Sequence, residues 1–73
     1  MAANTDLNVR LGKRCRALRQ RNKLSLMDVV KHHEVSLSHL QKIERGVLDV
    51  RLSTLMKLAN AYGVTLSALL RGV

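Results

Sequence analysis

Near the middle of this chain, two short helical patterns follow one another across a short turn. Residues 25–33, SLMDVVKHH, begin with a serine that can cap a helix, and Asp28 follows three positions later as a capping-box partner. Residues 36–45, SLSHLQKIER, also begin with serine, and Gly46 after them suits a left-handed helix end. Helices this short are unstable alone in water, so neighbouring segments must support them.

The flanking segments carry the same helical period. An apolar stripe predicts a first helix over residues 7–22. A second stripe predicts a fourth helix, capped by Ser53 and ended by Gly63, and Thr65 starts a short fifth helix. The residues predicted to face the core are Leu7, Leu11, Cys15, Leu18, Val35, Leu40, Ile43, Leu55, Leu58, Ala59 and Tyr62.

The whole pattern indicates one all-α domain. The chain has 73 residues and no proline, and no segment alternates with the period of two that a half-buried strand requires. A chain of this size has only a small core. We therefore expect a compact five-helix globule over residues 7–73, with the helix pair at its centre, and a flexible N-terminal arm over residues 1–6.

Positive charge is concentrated in the predicted first helix. The net charge is +8, and the segment 10–23 contains basic residues and no acidic residue. Its basic members are Arg10, Lys13, Arg14, Arg16, Arg19, Arg21 and Lys23. Charge this one-sided favours a polyanion, with nucleic acid ahead of an anionic membrane. The simpler alternative is a solvated helix face that keeps the chain soluble.

Aromatic content narrows the class of nucleic acid. Tyr62 is the only aromatic residue of the chain. Proteins that bind unpaired bases usually stack those bases on several aromatic rings, and this chain has no such platform. Double-stranded DNA is therefore favoured over single strands.

Two short capped helices inside a basic five-helix domain resemble the DNA-binding domains of phage repressors and Cro-like proteins, the XRE family. The resemblance covers about residues 11–70. It rests on the stretches LGKRCRALRQRNKLS, VSLSHLQKIERG and LSTLMKLANAYGVTLSALL. It implies a repressor-like fold with a central helix-turn-helix, in which residues 36–45 form the recognition helix. Restriction-modification controller proteins, phage repressors and antitoxins are similar in form.

The outward face of the recognition helix supplies the candidate base-reading residues. A major groove is wide enough for one helix, whose N-terminal outward side chains then meet base edges. The predicted readers are Leu37, Ser38, Gln41 and Lys42. Gln41 suits adenine, Lys42 suits the acceptors of guanine, and Leu37 suits a thymine methyl group. The alternatives are partial burial of Leu37 and a solvated face for Gln41 and Lys42.

Other residues are candidates for holding the DNA backbone and the reading helix. Ser38, Arg45 and Arg51 are predicted to contact phosphates, together with free amides at helix N-termini. The resemblance also implies a structural ion pair between Arg19 of the first helix and Glu44 of the recognition helix. Such a pair would orient the reading helix, whereas two solvated side chains would leave it free.

Several positions depart from the family pattern. Val30 stands where a small residue is usual, and His33 stands where an apolar residue is usual. Leu26 stands where the family commonly has a glutamine that touches phosphate. Glu34 stands in the turn where glycine is usual, so a non-glycine residue must adopt a left-handed conformation. Residues 47–50, VLDV, replace a loop that is more polar in relatives, and they either pack on the core or contact another protein.

These features predict a sequence-specific transcription regulator that binds a pseudo-palindromic operator as a homodimer. Recognition helices of such dimers enter major grooves about 34 Å apart. The predicted dimer interface consists of Leu66, Leu70 and Val73, because exposed apolar side chains near a chain end are stabilised when a second subunit removes them from water. The alternative class is a helix-turn-helix scaffold used mainly for protein contact, as in an antitoxin or a regulator-binding module, with weak DNA binding.

No catalytic constellation is present, so we expect no enzyme, no cofactor and no small-molecule substrate. His32, His33 and His39 lack the spacing of a zinc site, and Cys15 reads as a core residue without a histidine to activate it. The start of the chain does not resemble a leader, and no segment approaches the ~18 apolar residues of a membrane span. We expect a cytoplasmic protein of bacterial or phage origin, without a membrane partner.

Overall fold

The computed structural model describes the backbone of residues 3–73 and the side chains of residues 6–73. The helices are α1 (Ala3–Arg21), α2 (Leu26–His33), α3 (Leu37–Arg45), α4 (Leu52–Ala61) and α5 (Leu66–Leu69). Over this described range there is no strand, and the predicted all-α, five-helix architecture is confirmed.

Helix α1 begins at Ala3, four residues before the predicted start at Leu7, so residues 3–6 form its first turn; residues 1–2 lie outside the described part of the chain. The prediction placed the helix start at Leu7 because the apolar stripe begins there. Asp6 favours an earlier start, since an acidic side chain stabilises the first turn of a helix. Its Oδ2 also lies 3.3 Å from a guanidinium nitrogen of Arg10, one turn along α1.

The predicted caps of α2 and α3 are confirmed. The Ser25 Oγ accepts a hydrogen bond from the Asp28 amide at 3.0 Å, and the Asp28 carboxylate accepts one from the Ser25 amide at 2.7 Å. The Ser36 Oγ accepts a hydrogen bond from the His39 amide at 3.1 Å. Gly46 ends α3 at a φ of 74°, in the left-handed region. The two short helices therefore begin and end where the sequence pattern predicts.

The predicted Ser53 cap of α4 is wrong. The helix begins at Leu52, and Arg51 occupies the N-cap position without a side-chain hydrogen bond. The Leu55 amide donates a hydrogen bond to the Arg51 backbone oxygen at 3.0 Å, so the first turn of α4 closes on Arg51. Ser53 therefore lies inside that turn, where its side chain is exposed.

Helix α5 is fixed at both ends. The Thr65 Oγ1 accepts a hydrogen bond from the Ala68 amide at 3.0 Å, which confirms the predicted start. At the other end, the Arg14 guanidinium donates hydrogen bonds to the backbone oxygens of Ala68 at 2.8 Å and Leu69 at 3.3 Å. One cation of the basic helix α1 therefore caps α5 and is committed to the fold.

The core contains residues from all five helices and from the α2–α3 turn. Its buried apolar members are Leu11, Cys15, Leu18, Val29, Val35, Leu40, Ile43, Leu58, Ala59, Tyr62 and Leu69. Most of the predicted stripe is confirmed. Leu7 is the exception at 44% exposed, and Leu55 is only half-buried.

Two glycines bring α3 close to α1. A Cβ atom on Gly12 would lie 2.5 Å from the Ile43 backbone oxygen. A Cβ atom on Gly46 would lie 2.7 Å from the Val9 Cα. Both distances are shorter than any ordinary contact, so these positions require glycine. Because of this close approach, α3 packs directly against α1, and the distance between α1 and the outer face of α3 is fixed.

The turn between α2 and α3 contains the strained residue that the sequence predicts. Glu34 has a φ of 56°, the left-handed region that favours glycine. The Lys57 Nζ of α4 donates a hydrogen bond to the Glu34 backbone oxygen at 3.5 Å, so α4 helps to hold the turn. Val35 follows and is buried, which locks the turn to the core.

Candidate nucleic-acid interface

Helix α3 has one buried face and one free face. Leu40 is fully buried and Ile43 is 1% exposed, so these two residues hold α3 on the core. Leu37 is 38% exposed, and the predicted readers Ser38, Gln41 and Lys42 are exposed as well. The predicted base-reading residues therefore lie together on the outer side of α3, with no protein segment covering them in the described structure.

The side chains predicted to contact phosphates also lie at the surface. Ser38 is exposed in the first turn of α3, Arg45 is exposed at its end, and Arg51 is exposed at the start of α4. The start of α4 has no side-chain cap, so its first backbone amides remain available as donors. Amides at a helix N-terminus favour an anion.

The predicted ion pair between Arg19 and Glu44 is present. The Arg19 Nε donates to the Glu44 Oε2 at 2.7 Å, and a second guanidinium nitrogen donates to Oε1 at 3.0 Å. The side chains are only 12% and 8% exposed. A third guanidinium bond reaches the Leu24 backbone oxygen at 2.9 Å. The pair thus ties α3 to α1 and to the start of α2.

Arg19 and Glu44 form a bidentate ion pair with two hydrogen bonds, which we call the Arg19–Glu44 fork. The hydrogen bonds that Arg19 donates to the Glu44 carboxylate raise the pKa of Arg19, and burial has the opposing effect. Both oxygens of the carboxylate are used, which is the strong bidentate form of this contact. The fork fixes the rotation of α3 about its own axis, and therefore fixes which of its side chains face outward.

A buried thiol and a buried phenol lie beside this pair. Burial raises the pKa of the Cys15 thiol to about 12, so the thiol is protonated at neutral pH and is a core group. Burial also raises the pKa of Tyr62. The Tyr62 hydroxyl has no hydrogen-bond partner among the described residues, although the residue is only 2% exposed.

One groove of about 360 Å³ lies between α1, the start of α2 and the outer edge of α3. Its walls are Arg16, Arg19, Leu26, Gln41, Glu44 and Arg45. The groove brings the predicted reader Gln41 and the predicted phosphate contact Arg45 together with Arg16. Arg16 was not among the predicted site residues. Its position three residues before Arg19, on the same helix face, is the signal that places it here.

The departures from the family pattern have distinct structural roles. Leu26 is half-buried and packs against the core while also lining the groove. In the loop 47–50, Leu48 and Val50 pack on the core, but Val47 is 58% exposed. Asp49 accepts a hydrogen bond from the Asn8 side chain at 2.9 Å, which ties the loop to α1. The loop is therefore divided between core packing and an exposed apolar tip.

A second, more apolar groove of about 480 Å³ lies away from the reading face. Its walls are Leu7, Asn8, Leu11, Asp49, Val50, Leu55, Leu70 and Val73. Of the predicted dimer residues, Leu70 and Val73 line this groove, and Leu70 is 38% exposed. Leu66 is half-buried against the core and does not line it. The structure therefore brings together two of the three predicted residues.

The described residues contain no cluster of three or more histidine, cysteine, aspartate or glutamate side chains that could hold a metal ion. Among the helices that the structure describes, none combines the length and the apolar character needed to cross a membrane.

Comparisons with known proteins agree with this geometry. A family model described as a helix-turn-helix domain matches residues 10–71. The chain is 40% identical over 65 residues to the HTH-type transcriptional regulator DdrOP3 of Deinococcus deserti, covering 89% of this chain and half of that protein. The chain thus spans half the length of this curated relative.

The fold of the chain is also similar to that of a solved structure. The clp gene regulator ClgR from Corynebacterium glutamicum superposes with a TM-score of 0.84 at 26% sequence identity. The match covers 89% of this chain and 69% of the ClgR chain. The region that the family model matches is almost the entire chain. It includes the α2–α3 pair, the Arg19–Glu44 fork and the outer face of α3. This chain belongs to the helix-turn-helix family of XRE-like DNA-binding domains.

Proposed function

We propose that this domain is the sequence-specific, double-stranded DNA-binding part of a transcription regulator that acts as a homodimer on a pseudo-palindromic operator. The observation that carries the proposal is the free outer face of α3, held in one orientation by the buried Arg19–Glu44 fork. A reading helix needs both properties, because base discrimination depends on side chains placed at fixed positions in the major groove.

Base reading is assigned to Leu37, Ser38, Gln41 and Lys42. The amide of Gln41 can donate and accept at once, which matches the two groups that adenine presents in the major groove. Lys42 matches the two acceptors of guanine, and the exposed part of Leu37 matches a thymine methyl group. Ser38 lies at the helix start and reaches either a base edge or a phosphate.

Backbone contacts are assigned to Ser38, Arg45 and Arg51. These residues lie at the two ends of α3 and at the start of α4, so they can hold the two walls of the groove that α3 enters. Phosphate contacts of this kind set position and orientation, whereas base contacts set sequence preference. The net charge of +8 adds a long-range attraction for the duplex.

Dimerisation is assigned to Leu66, Leu70 and Val73. Support comes from the apolar groove that Leu70 and Val73 line, which is about 480 Å³ and includes the exposed Leu7. A two-fold dimer buries the same patch on both subunits and presents two reading helices about 34 Å apart. We expect a protein that acts in the cytoplasm, without a cofactor or a small-molecule substrate.

The test is selection from a pool of random-sequence duplexes, followed by sequencing of the bound fraction. We expect an inverted repeat for the wild-type chain and loss of that repeat for Gln41→Ala combined with Lys42→Ala. The matched control is Gln20→Ala combined with Lys13→Ala, which removes the same residue types from exposed positions of α1. Loss of the repeat in the control as well would show that charge, not α3, determines the preference.

The homodimer has its own test. Size-exclusion chromatography with light scattering at tens of micromolar should give twice the mass of one chain, and Leu70→Asp should give a monomer with an unchanged circular dichroism spectrum. A wild-type monomer at that concentration contradicts the assignment of this interface.

A second candidate function has a specific observation in its favour. Val47 is 58% exposed and Leu52 is 64% exposed, and large apolar side chains at the surface are typical of protein-binding sites. In this alternative the fold is a scaffold for contact with another protein, and DNA binding is weak. Selection that yields no preferred sequence, with binding abolished at high salt, would favour the scaffold over the regulator.

A further inference from the structure

We propose that Arg14 is a positioning residue for the dimer interface, because its guanidinium holds together the two walls of the apolar groove that α1 and the end of the chain form. The inference rests on the proposed homodimer and extends it to a residue outside the interface. Leu66, Leu70 and Val73 supply the apolar contact surface. Arg14 holds that surface in the arrangement that a second subunit contacts.

The α1 wall of the groove leads directly to Arg14. Leu7 and Leu11 line the groove, and Arg14 follows Leu11 by three residues. Residues spaced four and three apart share one face of a helix, so the three side chains lie in a row along α1. Arg14 is half-buried and lies about one turn beyond Leu11. The guanidinium is therefore placed at the end of this groove wall.

The opposite wall is formed by the residues that follow α5. Leu70 and Val73 line the groove, and Leu70 comes directly after the two residues that accept hydrogen bonds from Arg14. One guanidinium nitrogen lies 2.8 Å from the Ala68 backbone oxygen, and the Arg14 Nε lies 3.3 Å from the Leu69 backbone oxygen. Two nitrogens of one planar group on two oxygens fix an orientation as well as a distance. The contact therefore sets how the Leu70 wall lies relative to α1.

Helix α5 depends on this support because it is a single turn. Its four residues, Leu66–Leu69, are too few for a helix that is stable alone. Of these four residues, only Leu69 is buried. Among the described residues, the two bonds from Arg14 are the only hydrogen bonds that join α1 to α5. Without them, Leu69 still anchors the inner side of α5, but the outer side that leads to Leu70 is free to shift.

The reading face is held by other contacts. Helix α3 is oriented by the Arg19–Glu44 fork, which does not involve Arg14. The start of α5 is capped by the Thr65 side chain, which is also independent of Arg14. Loss of the Arg14 contact should therefore weaken dimerisation while each subunit keeps its fold and its reading helix. A residue that only stabilised the whole domain would affect both properties together.

The experiment compares Arg14→Ala with Lys13→Ala. Both substitutions remove one cation from α1 at adjacent positions, but Lys13 is exposed and forms no ion pair within the described chain. Sedimentation equilibrium gives the dimer dissociation constant of each variant, and circular dichroism checks the helical content. Fluorescence anisotropy gives the affinities for two duplexes, the inverted repeat recovered by selection and a duplex that contains one half of it.

We expect Arg14→Ala to raise the dimer dissociation constant about tenfold. If the loosened α5 holds the interface arrangement about one third of the time, the constant rises by the square of three, because both subunits must hold that arrangement at once. Affinity for the full repeat should fall as the dimer weakens. Affinity for the half repeat should equal that of Lys13→Ala, which has lost the same charge.

Several results would overturn the positioning role. Equal dimer dissociation constants for Arg14→Ala and Lys13→Ala, with a dimeric wild type, overturn it and leave the proposed function intact. An equal loss of affinity for the half and the full repeat in Arg14→Ala shows general destabilisation and overturns it as well. A wild-type chain that remains a monomer at tens of micromolar overturns the proposed homodimer, and the role of Arg14 with it.

A second variant covers the case in which Arg14→Ala does not fold. Arg14→Lys keeps the charge but replaces the planar group of several donors with a single ammonium. We expect a dimer dissociation constant above that of the wild type, with half-repeat affinity unchanged. A folded Arg14→Lys chain with the dissociation constant of the wild type overturns the positioning role.

Discussion

Replacing Glu44 with alanine should destabilise the domain strongly and disorder its reading face. The carboxylate accepts two hydrogen bonds, at 2.7 and 3.0 Å, and both partners are nearly buried. Removing one member of a buried pair typically costs about 3 to 5 kcal/mol, because the remaining charge is left unpaired. Arg19 keeps its bond to the Leu24 backbone oxygen, so we expect the lower end, about 3 kcal/mol.

The expected shift in melting temperature is large. In a domain of this size, 1 kcal/mol corresponds to roughly 4 to 8 °C, so Glu44→Ala should lower the Tm by about 12 °C or more. Thermal melting followed by circular dichroism measures this shift. Glu44→Gln, which keeps one acceptor oxygen, should fall between Glu44→Ala and the wild type and remains measurable if the alanine variant unfolds.

The control is the exposed ion pair between Asp6 and Arg10 within α1. Asp6→Ala removes the ion pair between Asp6, which is 75% exposed, and Arg10, which is 52% exposed. The free energy of unfolding should change by about 0.5 kcal/mol at most, so the Tm should stay within a few degrees of the wild type. If Glu44→Ala and Asp6→Ala melt at the same temperature, the buried fork does not hold α3, and the account of how the reading face is oriented is wrong.

Three further predictions concern neighbouring features. Gly12→Ala places a Cβ atom 2.5 Å from the Ile43 backbone oxygen, so the free energy of unfolding should fall by roughly 1 to 3 kcal/mol, the cost of an overpacked contact, and the Tm should fall with it. DNA affinity should also fall in an anisotropy titration. Tyr62→Phe removes a buried hydroxyl without a described partner, so urea denaturation should show equal or higher stability, and a clear loss would reveal a missing hydrogen bond. Hydrogen bonds from Ser25 hold the pKa of Asp28 below its ordinary 3.8. The ionised carboxylate therefore stabilises the fold at neutral pH, and this contribution is lost as the pH falls through the lowered pKa. The difference in Tm between the wild type and Asp28→Asn should therefore disappear in acid.

Local signals in the sequence determine much of the fold. Ser25 and Ser36 precede helices whose caps form as predicted, because each cap involves only the serine and a backbone amide three residues later. Ser53 shows the limit of that rule. A serine near a helix start is insufficient when the first backbone hydrogen bond of the helix, here from the Leu55 amide to the Arg51 oxygen, forms two residues earlier.

The start of α1 was missed for a related reason. The apolar stripe that marks a helix begins at Leu7, but the polar residues before it continue the helix without contributing to the core. Leu7 itself is 44% exposed, because it lies on the wall of the apolar groove instead of inside the core. Hydrophobic periodicity reports which residues pack, and it cannot report how far a solvated helix extends.

The candidate site was predictable in part. The exposed face of α3 follows from the spacing of Leu40 and Ile43, which a single helix determines. The Arg19–Glu44 fork came from the family resemblance, since the two residues are 25 positions apart and no local pattern joins them. Arg16 shares a helix face with Arg19, which is a local signal, but the groove that this face lines depends on how α1 crosses α3 in the three-dimensional structure.

Sequence reading by α3 is measured by the ratio of the affinities for a preferred duplex and for an unrelated duplex. Affinities for the selected duplex and for a scrambled duplex of the same composition are measured at one salt concentration, for the wild-type chain and for Gln41→Ala combined with Lys42→Ala. For the wild-type chain we expect a ratio of at least about 10³. Each lost base contact costs ~1 to 3 kcal/mol of discrimination, so the variant should lose a factor of about 30 or more while scrambled binding changes little. A ratio near one for the wild-type chain, or a ratio unchanged in the variant, would contradict the claim that α3 reads DNA sequence.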